Sequence, residues 1–304
     1  MIIKNAYKNL VWIDISTPDK SEIREIAEEY GIDPSVADEL LAPTESPRVE
    51  YYGDYLYAIL HFPAFKHSHN ANPEQEVNFI LGKNFLITVR YDEIDPLHKF
   101  AKIFEVNSIL DKQSFDIHSG YVFMHMLRKL YISLRHEIEF INDSLDEIEE
   151  KMYQGQEKEM VFELSYVNRG ILRLKQTMNP HAETLDELSD VLEDMFDKEF
   201  KTHFSEVWHE YMRVRAYIDD SREELNELRE TNNSLLNTKQ NEIMKVLTIM
   251  AFVTFPLSLL ASIFGMNTAT LPIVGEKGDF WIIVGIMIAL TAIFFLYFRY
   301  KRWL

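Results

Sequence analysis

The sequence predicts an α+β domain, in which helices lie on a mixed sheet, followed by long helices and a two-helix transmembrane domain. Three observations support this class. Residues 1 to about 110 show strand-like alternation and helix caps, whereas residues 181–255 contain neither glycine nor proline. Two stretches near the C-terminus, 244–264 and 280–298, are almost entirely apolar.

The first region contains a predicted strand and repeated helix-start signals. Leu10–Ile15 is an apolar run of the kind that forms a buried strand. Thr17 can cap a helix whose first residue is Pro18, and the pairs Asp33-Pro34 and Asp95-Pro96 repeat this arrangement. Strands that alternate with capped helices indicate a folded domain.

Two hairpins complete the predicted sheet. Residues 49–65 alternate around Tyr52-Gly53-Asp54, and residues 76–90 alternate around Gly82-Lys83-Asn84. Glycine beside Asn, Asp or Lys is typical of the tight turns that join antiparallel strands. We therefore predict one cytoplasmic α+β domain over residues 1–112.

Long amphipathic helices are predicted next, over residues 113–242. Apolar residues recur every three or four positions from Ser114, and the pattern breaks near Gln154-Gly155 and again at Asn179-Pro180. An unbroken helix over residues 201–264 would be on the order of 95 Å long. That length exceeds what a globular domain requires and predicts a stalk that leads to the membrane.

The third region, residues 243–304, has the composition of two membrane spans. Each apolar stretch is close to the ~20 residues that a helix needs to cross a bilayer. Lys245 is the only fully charged side chain between Glu242 and Glu276, so the first span offers no carboxylate to a cation. The basic residues Arg299, Lys301 and Arg302 place the tail in the cytoplasm, and two spans return the N-terminal part to the same side.

Composition excludes several functions. The net charge of -18 argues against nucleic acid as a partner, because phosphates would repel the chain. The sequence contains no cysteine, which excludes disulfides and thiolate metal sites. No grouping of nucleophile, base and oxyanion donor is evident, and we predict no enzyme activity. No signal peptide is expected at the N-terminus.

One face of the first span carries regularly spaced residues. They follow steps of three and four and are Asn241, Met244, Leu247 or Thr248, Ala251, Phe255, Ser258 and Ser262. Such a stripe can pack against another helix, or it can line a pore if several copies surround an axis. The spacing alone leaves both alternatives open.

Four segments resemble the CorA family of magnesium channels. They are Asn241-Glu242-Ile243-Met244-Lys245-Val246-Leu247-Thr248, Phe255-Pro256-Leu257-Ser258, Phe264-Gly265-Met266-Asn267 and Lys301-Arg302-Trp303-Leu304. The resemblance implies a funnel-shaped homopentamer in the cell (inner) membrane, with the stripe facing a central pore. It also implies a selectivity filter at Gly265, Met266 and Asn267, and a hydrophobic constriction at Met244 and Leu247.

The resemblance further implies the transported ion and its control. Mg²⁺, and also Co²⁺ or Ni²⁺, would enter under the membrane potential, and cytoplasmic Mg²⁺ would gate the channel. The regulatory ion would lie between subunits, with Asp38 and Glu39 on one side and Glu206 on the other. Mg²⁺ releases its waters reluctantly, so amide oxygens of Asn267 would contact the hydrated ion.

The sequence leaves two other functions open. A Zn²⁺ transporter could share the fold, although Met266 favours magnesium by resemblance, and a membrane-anchored coiled-coil interaction protein would have no pore. Three features depart from the family pattern. Phe255 stands where methionine is common, the loop 268–272 lacks acids, and Arg128 lies where some members place an acid.

Overall fold

The computed structural model describes residues 2–63, 74–91, 94, 96–102, 118–267, 273–275 and 278–301. The chain forms two compact units, Met1–Arg229 and Glu230–Leu304. The loop 268–272, the boundary at residue 112 and the tail residues 302–304 lie outside the described residues.

Six strands form one sheet in the order β1-β2-β6-β5-β4-β3. Their bounds are β1 Ile2–Tyr7, β2 Leu10–Ser16, β3 Arg48–Tyr51, β4 Tyr55–Pro63, β5 Glu74–Gly82 and β6 Phe85–Arg90. Strands β2 and β6 are parallel, with Ile13 opposite Ile87, and the other pairs are antiparallel. The predicted mixed sheet is confirmed, as are both hairpins.

Seven of the helices can be bounded in the described residues. They are α1 Lys20–Tyr30, α2 Pro34–Glu39, α3 Ser119–Tyr153, α4 Glu157–Met178, α5 His181–Met195, α6 Lys198–Phe264 and α7 Asp279–Tyr300. Residues 96–102 are also helical, in agreement with the predicted start at Pro96. Helix α6 contains 67 residues, which confirms the predicted long helix.

Capping residues explain where the first two helices begin. Asp33 caps α2 as predicted, with Pro34 at the first position and the Asp33 carboxylate accepting from the Ser35 amide. The predicted cap at Thr17 is wrong. Asp19 caps α1 and accepts from the Ser21 amide, whereas Thr17 has a φ of 52° and donates its hydroxyl to the Ser16 carbonyl.

The sheet is buried on both faces. On one face, Ile13, Ile59 and Ile87 pack in a cluster with residues of α1 and α2. On the other face, the Phe79 ring meets the Phe123 ring of α3 edge-on, at 5.2 Å between centroids. This contact packs α3, the first of the long helices, onto the sheet. Buried aromatic side chains of this kind contribute a large share of core stability.

Three breaks separate the long helices. Gly155 follows α3 with a φ of 94°, a conformation that favours glycine, and this confirms the predicted interruption. The second break, at Asn179-Pro180 between α4 and α5, is also where the sequence predicts it. The third, at Phe196, divides the run that lacks glycine and proline. The Asp197 carboxylate there accepts from the Phe200 amide at 2.7 Å and so caps the first turn of α6.

A buried histidine connects α5 to the sheet and to α3. His181 is fully buried, and its Nε2 donates to the His61 carbonyl of β4 at 2.7 Å. Because a carbonyl can only accept, Nδ1 is unprotonated and accepts from the Tyr131 hydroxyl at 2.7 Å. Burial lowers the pKa of His181 to about 4, so the ring is neutral near pH 7.

Because His181 is buried in its neutral form, we expect the folded chain to lose stability in acid. The folded-state pKa lies below the unfolded value of about 6.5, so the unfolded chain binds more protons and stability falls as the pH drops from about 6.5 towards 4. Between pH 7 and 4.5 the expected loss from this residue is about 2 to 3 kcal/mol. Chemical unfolding of the full chain over this range should therefore show a shallower pH dependence for His181→Gln than for wild type. An equal pH dependence of the unfolding free energy in the two proteins would contradict the conclusion that His181 is neutral and buried in the folded state.

Candidate ion pathway and regulatory carboxylates

Helices α6 and α7 are both long and apolar enough to cross a membrane. Helix α6 ends at Phe264, where the Gly265 amide donates to the Ala261 carbonyl at 2.9 Å. A Cβ at residue 265 would lie 3.0 Å from that carbonyl, so glycine allows the chain to close this turn tightly. Met266 and Asn267 follow as exposed residues, with the Asn267 amide available at the end of the first apolar helix.

The predicted stripe lies on the exposed side of α6 within one chain. Met244 and Leu247 are each 54 % exposed, and Phe255 is 72 % exposed. Asn241, Ser258 and Ser262 are exposed as well, and Ala251 is half-buried. Thr248 is half-buried and its hydroxyl donates to the Met244 carbonyl at 2.7 Å, so Leu247 is the more exposed of the two alternatives.

A second stripe, on the opposite side of the helix, is partly covered. Its half-buried members follow steps of three and four and are Lys245, Ile249, Val253, Pro256, Leu260 and Phe264. At 100° per residue, this stripe lies about 150° from the exposed one. The chain therefore partly covers one side of its first apolar helix and leaves the rest of the helix surface open, including the predicted pore side and residues outside it such as Met250 and Leu259.

The predicted regulatory acids of α2 lie at its C-terminal end. Asp38 is exposed, and Glu39 is half-buried and forms an ion pair with the Arg48 guanidinium of β3. The Arg48 Nε also donates to the Glu50 carboxylate at 2.8 Å. One arginine thus forms ion pairs with two carboxylates next to the predicted metal position, and the group of three keeps a net negative charge.

Glu206 on α6 is also paired with an arginine. Its carboxylate lies 3.0 Å from Nη1 of Arg128 on α3, and both side chains are partly exposed. One turn further along α6, the buried Glu210 faces Arg213 at 3.2 Å, Arg128 at 3.7 Å and Arg135 at 3.9 Å. Arg128 departs from the family pattern in the sequence, but the sequence does not predict these ion pairs.

No set of three or more His, Cys, Asp or Glu side chains that could hold a metal comes together within the described part of one chain. Asp38 and Glu39 lie on α2, and Glu206 lies on α6. Their carboxylate oxygens are the ligand type that Mg²⁺ prefers.

These features define the class of the protein: a polar α+β domain with a very long helix and two candidate membrane spans. The chain matches the model of the CorA-like Mg²⁺ transporter protein family over residues 7–302, and it belongs to that family.

Similar proteins cover nearly the whole chain. It is 28 % identical over 298 residues to the Cobalt/magnesium transport protein CorA of Thermotoga maritima, covering 96 % of this chain and 83 % of that protein. It is 23 % identical to the protein of the same name from Methanocaldococcus jannaschii, covering 97 % of this chain and 92 % of that protein. The solved structure of the M. jannaschii CorA magnesium transporter has the same fold, with a TM-score of 0.79 at 24 % identity, over 99 % of this chain and 94 % of that one.

Proposed function

We propose that this chain forms a homopentameric channel in the cell (inner) membrane that admits Mg²⁺, and also Co²⁺ or Ni²⁺, into the cytoplasm. The observation that carries the proposal is the exposed stripe of α6, which leads to Gly265-Met266-Asn267 at the end of the helix. Family membership and the names of the relatives supply the ion. Both termini are cytoplasmic in this proposal. The cytoplasmic α+β domain covers residues 1–112, the long helices and stalk cover residues 113–242, and the transmembrane domain covers residues 243–304.

The end of the first span suits a hydrated divalent ion. A ring of Asn267 amide oxygens can accept hydrogen bonds from the coordinated waters of Mg²⁺ without removing them. Ser262 and Ser258 follow about one and a half and two and a half helical turns further along the helix and can contact the waters of the ion in turn as it moves past them. Selection then depends on the size and charge of the hydrated ion, because no carboxylate lies along this stripe.

The other end of the span is apolar and can act as a gate. Rings of Met244 and Leu247, both more than half exposed in one chain, would form a narrow section that water leaves readily. Phe255 would add a stiff aromatic ring between the gate and the serines. Conduction would require these rings to separate or rotate.

The membrane potential supplies enough energy for uptake. A divalent cation that moves inward gains about 4.6 kcal/mol per 100 mV, which supports roughly a thousandfold accumulation. Passive flow is therefore sufficient, and the cell must control the pore rather than drive it.

Replacing the filter amide tests the transport proposal. Asn267→Ala removes the acceptors for the waters of the ion and should lower Mg²⁺ uptake into proteoliposomes, driven by an inside-negative potential, by about tenfold or more. Thr291→Ala, which removes a polar group from the second span, should leave uptake unchanged. Equal uptake by wild type and Asn267→Ala would contradict the proposal, as would a Zn²⁺ flux that follows a proton gradient.

The proposed control is a regulatory Mg²⁺ that binds Asp38 and Glu39 of one chain and Glu206 of its neighbour. Within one chain, Arg48 and Arg128 already neutralise two of these carboxylates. The metal must therefore compete with guanidinium groups for its ligands. This competition sets a higher Mg²⁺ concentration for closure than the same carboxylates would require alone.

This competition predicts that substitution of Arg128 and substitution of Glu206 shift the Mg²⁺ concentration for half-closure in opposite directions. Arg128→Gln frees Glu206 and should lower the Mg²⁺ concentration that half-closes the channel by about two- to fivefold, since an exposed ion pair contributes up to about 1 kcal/mol. Glu206→Gln should raise that concentration. Lys175→Gln, which breaks a separate ion pair with Asp219 of α6 and touches neither Arg128 nor Glu206, serves as the control. A shift of the same sign in both Arg128→Gln and Glu206→Gln would contradict the competition.

A further inference from the structure

The second unit contains an apolar groove between its two helices. The groove has a volume of about 390 Å³ and is lined by Phe252 of α6 and by Ile293, Phe294, Tyr297 and Phe298 of α7. Four of these five side chains are aromatic. The groove is within the size range of sites that hold small apolar ligands.

Two lysines lie in line with the groove at one end. Lys245 precedes Phe252 by seven residues, which places it on the same side of α6 about two turns, or roughly 10 Å, away. Lys301 follows Tyr297 by four residues and Phe298 by three, at the helical C-cap of α7. It therefore continues the stripe of α7 that lines the groove, whereas Arg299 lies about 170° away on the opposite side.

The charge at this end of the unit differs in sign from that of the whole chain. Although the chain carries a net charge of -18, the described segments 239–245 and 299–301 contain the basic residues Lys239, Lys245, Arg299 and Lys301 and one acid, Glu242. An apolar groove that ends at lysines complements a molecule with a hydrocarbon chain and a phosphate. Tyr297 lies between these parts, as interfacial tyrosines commonly do.

We propose that this groove is a binding site for an anionic phospholipid of the inner leaflet. One acyl chain lies along the aromatic side chains, and the phosphate contacts Lys245 and Lys301. The site is distinct from the stripe of α6 that leads to Asn267, because Phe252 lies about 80° around the helix from the centre of that stripe. The inference rests on the proposed orientation with the basic tail in the cytoplasm, and it does not depend on ion flux.

Native mass spectrometry of the detergent-purified full chain tests the site directly. Titration with phosphatidylglycerol and with phosphatidylcholine of the same acyl chains should show tighter binding of phosphatidylglycerol. Lys245→Gln and Lys301→Gln should each weaken that binding about fivefold, since each lysine near an anionic lipid surface contributes on the order of one such factor. Arg299→Gln, which removes the same charge from the opposite side of α7, should have little effect.

A second variant tests the contribution of the apolar groove to lipid binding while the charge stays unchanged. Ile293→Trp adds bulk to the groove without changing charge, and it should reduce phosphatidylglycerol binding severalfold. Asn267→Ala should bind lipid like wild type even when its flux is lost, so failure of the channel proposal is distinguishable from failure of this one. Equal binding of the two lipids, or equal effects of Arg299→Gln and Lys301→Gln, would overturn the proposal. Disulfide cross-linking between copies through Ile293→Cys would also overturn it, because a second chain would then fill the groove.

Discussion

Helix α6 must suit two different solvents with one continuous backbone. Its first part carries charged residues at high density, and its last 20 or so residues carry one charge, Lys245, at the start of the apolar segment. A hydrogen-bonded helix is the simplest way to carry a backbone into hydrocarbon, because its internal amides and carbonyls are paired with one another. Pro256 has no amide hydrogen and removes one of these hydrogen bonds within the apolar segment. The 67 residues of α6 therefore join the polar unit, which holds the proposed regulatory acids, to the apolar segment, which holds the proposed gate and filter.

The absence of carboxylates along the exposed stripe determines the chemistry that the segment can perform. A site built from Asn267, Ser262 and Ser258 offers neutral oxygens, which suit an ion that keeps its water. Charged side chains lie elsewhere: acids and their arginine partners occur on α2, β3, α3 and α6 of the first unit, and basic residues lie at one end of the second. In the proposed channel, selection and regulation can thus be altered by separate substitutions.

Local patterns predicted most of the fold. Alternation and turn residues located both hairpins, and the run without glycine or proline identified α6. Strand β1 was not predicted, because Ile2–Tyr7 mixes lysine and asparagine with apolar residues and becomes a strand only by pairing with β2. The cap at Thr17 was predicted from the following proline, but Asp19 has the carboxylate that reaches the Ser21 amide.

The candidate site was predictable only in part. The spacing from Asn241 to Ser262 identified the stripe, and the structure places it on the exposed side of α6, but its role as a pore wall stays a prediction. The ion pairs of Glu39 with Arg48 and of Glu206 with Arg128 could not be predicted, because they join residues from different elements. The groove at Phe252 likewise depends on how α6 and α7 pack.

Cysteine accessibility in the first span tests the central claim most directly, because the chain has no cysteine of its own. Ser258→Cys lies on the exposed stripe and Leu260→Cys on the half-buried one. A small cationic thiol reagent should block Mg²⁺ uptake through Ser258→Cys and leave uptake through Leu260→Cys unchanged, if the stripe lines a water-filled pathway. Equal reactivity of the two cysteines, or block through Leu260→Cys alone, would contradict the account.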